Sequence, residues 1–209
     1  MTEANRPRTL GVLLFPGFEL LDVYGPLEAF GHLPERFTLV QVAAEAGPVA
    51  SAQGPRVVAE AGLAGAPRLD WLLVPGGIGT RTEVDNAALL RWLAERGAEA
   101  ECVASVCTGA ALLARAGLLD GRRATSNKAV FSWVRTQGPR VAWIPEARWV
   151  EDGRCWTSSG VSAGIDMALA MVARHVGGEE AEALARGMEY EWHRDAGWDP
   201  FAKVWGLGA

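Results

Sequence analysis

Hydrophobic residues fall into short apolar runs, separated by segments whose apolar positions recur with helical spacing. The runs Leu10–Phe15 and Trp71–Val74 are continuously apolar, which is typical of strands buried on both faces of a parallel sheet. Phe37–Ala43 alternates β-branched and apolar residues and predicts a further strand. The segments with helical spacing predict helices at 20–30, 87–96, 128–137 and 162–175.

The order of these elements predicts the fold class. Strands that alternate with helices indicate an α/β fold, with a mainly parallel sheet and helices on both faces. Arg148–Val150 and Cys155–Thr157 resemble the arms of a hairpin around Asp152-Gly153. Since there is no internal repeat and no low-complexity linker, residues 1–209 are expected to form one domain.

Glycine and proline residues indicate where two of the helices change course. Gly25-Pro26 is expected to break or re-aim the first helix, because proline cannot donate the helical hydrogen bond. Gly97 is expected to cap the second helix at Arg96.

Composition and charge exclude several classes of partner. The net charge is -5, and no long run of Lys or Arg occurs, which argues against nucleic acid as a partner. No apolar run reaches the ~18 residues needed to span a bilayer, so no membrane segment is expected. The first nine residues are polar and lack the apolar region of a signal peptide. We therefore expect a cytoplasmic location.

The segment Ser105–Gly109 carries the strongest chemical signal in the chain. The apolar stretch Cys102–Ala104 leads into it and helix formers follow from Ala110, so a strand should turn sharply into a helix at Cys107. This is the pattern of a nucleophile elbow with cysteine in place of serine. The dipole of the following helix would favour the thiolate. The alternative is a cysteine packed as a small hydrophobe at the end of a strand.

The cysteine and histidine residues do not indicate a disulfide framework or a metal site. With only three cysteines, a disulfide framework is not expected. His32, His175 and His193 are far apart, and no CxxC or HExxH spacing occurs, so no metal site is expected.

Two further features near the strand ends are candidates for chemistry. The loop Pro75–Gly79 lacks the Lys-Ser/Thr of a phosphate-binding loop. Its glycines either leave a bare backbone that donates N–H groups to a substrate, or satisfy a tight turn. Asp22 lies between apolar neighbours, where an acid needs a partner. The alternative for Asp22 is a helix N-cap or a residue that bonds the backbone near Gly25.

Several motifs, taken in order, resemble the ThiJ/PfpI superfamily. They are Leu14–Pro26, Val74–Gly77, Ser105–Gly109, Ala116–Thr125 and Ser162–Asp166. The resemblance covers about residues 10 to 176, and it is strongest to isocyanide hydratases and to the amidase-like domains of AraC-type regulators. It implies a flavodoxin-like sandwich, usually a homodimer, with no metal or organic cofactor.

The resemblance assigns roles to four positions. Cys107 takes the position of the nucleophile, and Asp22 that of the acid that contacts it. Gly77 and Thr108 take the positions whose backbone N–H groups bind the substrate or an oxyanion. The implied reaction hydrates a small-molecule isocyanide to an N-substituted formamide through a thioimidate on Cys107. Thr108 stands where protease-like members carry His, which favours the hydratase branch.

The chain departs from this pattern in two places. After Thr125 it reads Ser126-Asn127-Lys128, where hydratase-like relatives commonly read Thr-His-Trp, so substrate identity stays open. A tail rich in tryptophan follows, with Trp192, Trp198 and Trp205. This tail either packs against the domain or forms a dimer contact, or it lines the substrate pocket.

Two functions from different classes follow from the sequence. The first is a small-molecule hydratase or amidase-like enzyme that uses Cys107 and Asp22. The second is a non-catalytic sensor that is oxidised at Cys107 or binds a metabolite, like the ligand domain of a regulator. Val176 is not followed by a helix-turn-helix segment of useful length, which makes direct DNA regulation the weaker expectation.

Overall fold

Strands and helices alternate through residues 6–207, the part of the chain described by a computed structural model. The strands are β1 (Arg8–Leu13), β2 (Phe37–Ala43), β3 (Gly47–Ala50), β4 (Arg56–Ala59), β5 (Ala61–Gly62), β6 (Trp71–Val74), β7 (Cys102–Ser105), β8 (Arg123–Ala124), β9 (Ala142–Trp143), β10 (Trp149–Asp152) and β11 (Cys155–Ser158). The helices are α1 (Leu20–Gly31), α2 (Thr80–Glu83), α3 (Ala87–Glu99), α4 (Gly109–Arg115), α5 (Phe131–Gln137), α6 (Ala163–His175), α7 (Gly178–Gly187) and α8 (Pro200–Val204).

The central sheet has seven strands in the order β10-β11-β7-β6-β1-β2-β5. Neighbouring strands pair in parallel, except for the antiparallel hairpin of β10 and β11, which turns at Asp152-Gly153. The helices form two packed groups, α1 with α6 and α7, and α3 with α4 and α5. The predicted mainly parallel α/β fold and the predicted hairpin are therefore confirmed.

Burial explains the continuous apolar runs. Every residue of β6 and β7 is buried, because these strands lie in the middle of the sheet with helices packed against them. The carboxyl ends of β1, β6 and β7 lie side by side, so the loops that follow them converge on one edge. Among residues 6–207, no helix is long and apolar enough to cross a membrane.

The prediction that Gly25-Pro26 breaks the first helix is wrong, since α1 runs unbroken through both residues. The reason lies in the packing of α1 on α6. A Cβ on Gly25 would lie 2.7 Å from the side chain of Ile165, and a Cβ on Gly164 would lie 3.3 Å from the ring of Pro26. Close contact between the helices stabilises the continuous helix despite its missing hydrogen bond.

The prediction that Gly97 caps the next helix is also wrong, because α3 continues to Glu99. A Cβ on Gly97 would lie 2.5 Å from the side chain of Leu118, so this glycine permits a close approach. The helix predicted from Lys128 instead begins at Phe131, because the side chain of Asn127 accepts the Val130 N–H and holds a turn there.

Candidate active site

The turn between β7 and α4 has the geometry of an elbow. Cys107 adopts a φ of 57°, a left-handed conformation that is uncommon for a residue other than glycine. Its N–H reaches the carbonyl oxygens of Ser158 and Ser159, both at 3.2 Å. A Cβ on Gly109 would collide with the carbonyl oxygen of Val74, so the second flanking residue must be small. The predicted sharp strand-to-helix turn at Cys107 is confirmed.

The sulfur of Cys107 lies in a nearly closed environment, with the residue only 5% exposed. The side-chain amide of Asn127 donates a hydrogen bond to Sγ, with Nδ2 at 3.2 Å. The backbone N–H and the hydroxyl of Thr108 also stabilise a negative sulfur and lower its pKa. Gly160 lies on another side, where a Cβ would be 3.1 Å from Sγ.

Asp22 projects from the first turn of α1 into the interior, where it is fully buried. Its Oδ2 accepts the N–H of Gly76 at 2.8 Å, and its carboxyl interacts with the Cys107 thiol. Its Oδ1 is buried and has no hydrogen-bond partner among residues 6–207. The position before α1 is occupied by Glu19, so the carboxyl of Asp22 does not act as the N-cap.

Burial determines the protonation of this pair. Desolvation raises the pKa of Asp22 well above its usual value and the charge of Glu19 adds to the rise, while the Gly76 N–H and Cys107 oppose it. Desolvation likewise raises the pKa of Cys107, and the charge of Asp22 adds to that rise. The expected stabilisation of the thiolate is thus outweighed by burial in the resting site. Two adjacent anions repel, so the pair retains a proton.

The two predicted N–H donors make different contacts. The Thr108 N–H favours a negative sulfur and so lowers the pKa of Cys107. The N–H of Gly77 donates to Thr108 Oγ1 at 3.0 Å, and the hydroxyl of Thr80 also donates to that oxygen at 3.1 Å. Gly77 has a φ of 123°, and a Cβ there would collide with the carbonyl oxygen of Gly17. The turn therefore requires glycine at this position.

Three residues at the site were not predicted from the sequence. Asn127 was noted only as a departure from relatives, and Gly160 was not singled out. Arg81 stacks on Trp133, with its guanidinium carbon 3.2 Å from the ring centroid, and its buried Nη1 lacks a partner within residues 6–207. Burial lowers the pKa of Arg81, and negative charge on Cys107 would oppose that shift.

The other cysteines and the histidines have different surroundings. Burial raises the pKa of Cys102 and of Cys155, and the Cys155 thiol donates to the carbonyl of Leu118 at 3.6 Å. His175 packs edge-on against Trp71, with ring centroids 4.8 Å apart. Residues 6–207 contain no group of three or more His, Cys, Asp or Glu side chains placed to hold a metal ion.

The chain is similar to known proteins over most of its length. Residues 8–174 match the DJ-1/PfpI family. An isonitrile hydratase from Pseudomonas putida is 35% identical over 182 residues, which are 87% of this chain and 78% of that protein. The HTH-type transcriptional regulator GbdR of Pseudomonas aeruginosa is 30% identical over 194 residues, 90% of this chain. The chain covers 52% of that regulator, about half its length.

Solved structures show the same fold. A THiJ/PfpI family protein from Pseudomonas syringae has a TM-score of 0.82 and 35% identity, covering 88% of this chain and 76% of that one. DJ-1beta from Drosophila melanogaster has a TM-score of 0.75 at 20% identity, and the match covers 89% of this chain and 100% of that one. The flavodoxin-like sandwich expected from the sequence is confirmed.

Proposed function

Because the chain belongs to the DJ-1/PfpI family, we propose that it is an isocyanide hydratase-like enzyme that forms an N-substituted formamide. The observation that carries this proposal is the buried pair of Cys107 and Asp22, in which Asp22 Oδ1 lacks a hydrogen-bond partner among the described residues. A carboxyl with a raised pKa and a free oxygen is suited to hold and transfer a proton. The similarity to isonitrile hydratase supports the same chemistry.

The proposed reaction begins with a proton transfer and a carbon–sulfur bond. Cys107 Sγ attacks the terminal carbon of R–N≡C, and the proton lost by the thiol passes through Asp22 to that carbon. The product is a thioimidate, R–N=CH–S–Cys107. Asn127 and Thr108 stabilise negative charge on the sulfur through their donors while it attacks and when it leaves.

Water completes the reaction. It adds to the thioimidate carbon, the nitrogen gains a proton, and the carbon–sulfur bond breaks to return the thiolate. The oxygen of water becomes the carbonyl oxygen of R–NH–CHO, and Asp22 returns the second proton of water to the sulfur, which regenerates the thiol. In this proposal the Gly77 and Thr108 N–H groups bind the oxyanion that develops when water adds. The hydrogen bond from the Gly77 N–H to the Thr108 hydroxyl must therefore break first.

The test is turnover of cyclohexyl and benzyl isocyanide, followed by NMR detection of the formamide. Wild type should convert both compounds, and Cys107→Ser should abolish turnover. Asp22→Asn should lower turnover by roughly the hundredfold associated with lost acid–base catalysis. Cys155→Ser is the matched control, because Cys155 is a buried thiol bonded to Leu118 rather than to the site. Absence of turnover in wild type, or full activity of Asp22→Asn, would refute the proposal.

A second candidate function is a ligand-binding or oxidisable sensor domain. It is supported by the similarity to GbdR across most of this chain. Burial raises the pKa of Cys107 and favours the protonated thiol at rest, which suits ligand binding rather than oxidation. The same assay separates the two functions, since only the enzyme would form the formamide.

A further inference from the structure

A cavity of about 300 Å³ begins beside the candidate nucleophile. Asn127 and Gly160 both line it, and both also lie against Sγ of Cys107. A Cβ at position 160 would collide with the side-chain amide of Asn127 and would also approach the sulfur. Cys107 itself does not line the cavity, which adjoins the sulfur through these two residues. The volume of the cavity is at the small end of the range for ligand sites, roughly 300–1,000 Å³.

The wall of the cavity includes three large apolar side chains that remain partly uncovered. Leu21 is 42% exposed, Phe201 is 50% exposed and Trp205 is 55% exposed. Phe201 and Trp205 are four residues apart at α8, and the Trp205 N–H donates to the Phe201 carbonyl at 3.1 Å. Exposed aromatic surface beside a reactive group offers favourable burial to an apolar ligand.

The cavity offers little charge to a ligand. Lys128 is one of its lining residues, but the residue is buried and its Nζ donates to Thr125 Oγ1 at 2.8 Å and to the Ala147 carbonyl at 2.6 Å. The ammonium group is therefore satisfied by the protein. Within the described part of the chain, none of the other lining residues is charged. This chemistry favours a neutral ligand over an anion or a cation.

A buried ion-pair cluster fixes the position of the tail that supplies the two rings. Arg148 pairs with Asp166 at 2.7 Å and with Asp199 at 3.4 Å. Asp199 precedes α8, where its Oδ1 caps the Phe201 N–H at 2.8 Å and its own N–H donates to the Glu146 carbonyl at 2.7 Å. Buried ion pairs contribute little net stability, and their attested use is to fix geometry. Here they hold α8 at the cavity.

We propose that this cavity is the subsite for the substituent of the isocyanide, and that Phe201 and Trp205 determine specificity for bulky apolar or aromatic groups. This inference rests on the proposed function and names its substrate class. The terminal carbon lies at Sγ, and the substituent extends along the cavity against Leu21 and the two rings. In this proposal the tryptophan-rich tail lines the substrate pocket through Trp205. Trp198 does not line the cavity and instead stacks on His193, with ring centroids 5.6 Å apart.

The first experiment compares benzyl isocyanide with methyl isocyanide as substrates of purified full-length protein. Trp205→Ala and Phe201→Ala should each lower kcat/KM for the benzyl compound by roughly tenfold to a hundredfold, and should leave the methyl compound within about twofold. Trp198→Ala is the matched control, because Trp198 is equally exposed at 55% but does not line the cavity. Equal losses for both substrates, or an equal effect of Trp198→Ala, would overturn the inference.

The second experiment does not depend on turnover. Binding of N-(4-fluorobenzyl)formamide is followed by ligand-observed fluorine NMR, with circular dichroism to confirm that each variant is folded. Wild type should bind, and Trp205→Ala should weaken binding by roughly tenfold. Binding without any isocyanide turnover would refute the proposed reaction and retain the subsite. Absence of binding to wild type, or normal binding by Trp205→Ala, would overturn the subsite. A Trp205→Ala variant that binds normally and sediments as a smaller species would place Trp205 at a dimer contact instead.

Discussion

Replacement of Asp22 by asparagine should change how the stability of the protein depends on pH. In the folded chain, burial raises the pKa of Asp22 well above its usual value. In the unfolded chain the pKa of the same carboxyl is about 3.9. Between those two pKa values the folded state holds a proton that the unfolded state has lost. The contribution of Asp22 to stability is therefore complete at low pH and declines as the pH rises.

The magnitude follows from proton linkage. While the pH lies between the unfolded and folded pKa values, this carboxyl lowers the unfolding free energy by about 1.4 kcal/mol per pH unit. An asparagine side chain cannot ionise, so Asp22→Asn lacks this slope. Its amide oxygen can still accept the Gly76 N–H that in wild type reaches Oδ2 at 2.8 Å. The variant should therefore gain stability over wild type steadily as the pH rises from about 5, by ~1.4 kcal/mol per unit.

Urea unfolding of both proteins at closely spaced pH values measures the difference directly. Asp85→Asn is the matched control, because Asp85 is exposed and forms an ion pair with Arg115 at 3.5 Å, far from the buried carboxyl. That variant retains Asp22 and should keep the pH slope of wild type. Parallel curves for wild type and Asp22→Asn would show that Asp22 is not held protonated, and would remove the basis for its role as a proton carrier.

The remaining predictions concern the nucleophile, the helix packing, a buried lysine and assembly. Asn127→Ala removes the 3.2 Å hydrogen bond to Sγ, so alkylation of Cys107 at fixed pH should slow by roughly tenfold; an unchanged rate would contradict this. Gly25→Ala should destabilise by about 1–3 kcal/mol, because its Cβ would lie 2.7 Å from Ile165, whereas Gly187→Ala, with nothing within 4 Å, should not. Burial lowers the pKa of Lys128 from 10.5 to about 8, so relative to Lys128→Met the wild type should gain stability as the pH rises between those values, and equal slopes would count against it. Finally, we propose that the protein is a homodimer, and sedimentation showing only the 22.3 kDa chain would refute that.

Much of the fold was predictable from local pattern. The runs Leu10–Phe15 and Trp71–Val74 were predicted as buried parallel strands, and β1 and β6 pair in parallel at the middle of the sheet. Strands of this kind are recognisable because both of their faces are covered, so every side chain must be apolar. The elbow at Cys107 was predictable for a related reason, since small residues must flank so tight a turn.

The positions where local rules failed are positions where distant segments meet. Pro26 and Gly97 are typical helix breakers, yet both lie inside helices because a neighbour packs closely against each. The short hairpin of β3 and β4 was missed, since its strands are only four residues long and half exposed. Propensity is a weak guide wherever tertiary packing contributes more free energy.

The sequence by itself determined the chemical identity of the site: a cysteine at a strand-to-helix turn, an acid in an apolar segment and a glycine loop. Tertiary structure alone decided their protonation and their surroundings. The raised pKa of Asp22 arises from burial by elements distant in sequence, and the contact of Asn127 with Sγ joins residues 20 positions apart. Trp205 lines the cavity on a tail that the ion pair of Arg148 with Asp199 helps to hold in place. Desolvation and long-range contact depend on the folded arrangement, whereas the residue types and turn geometry are local.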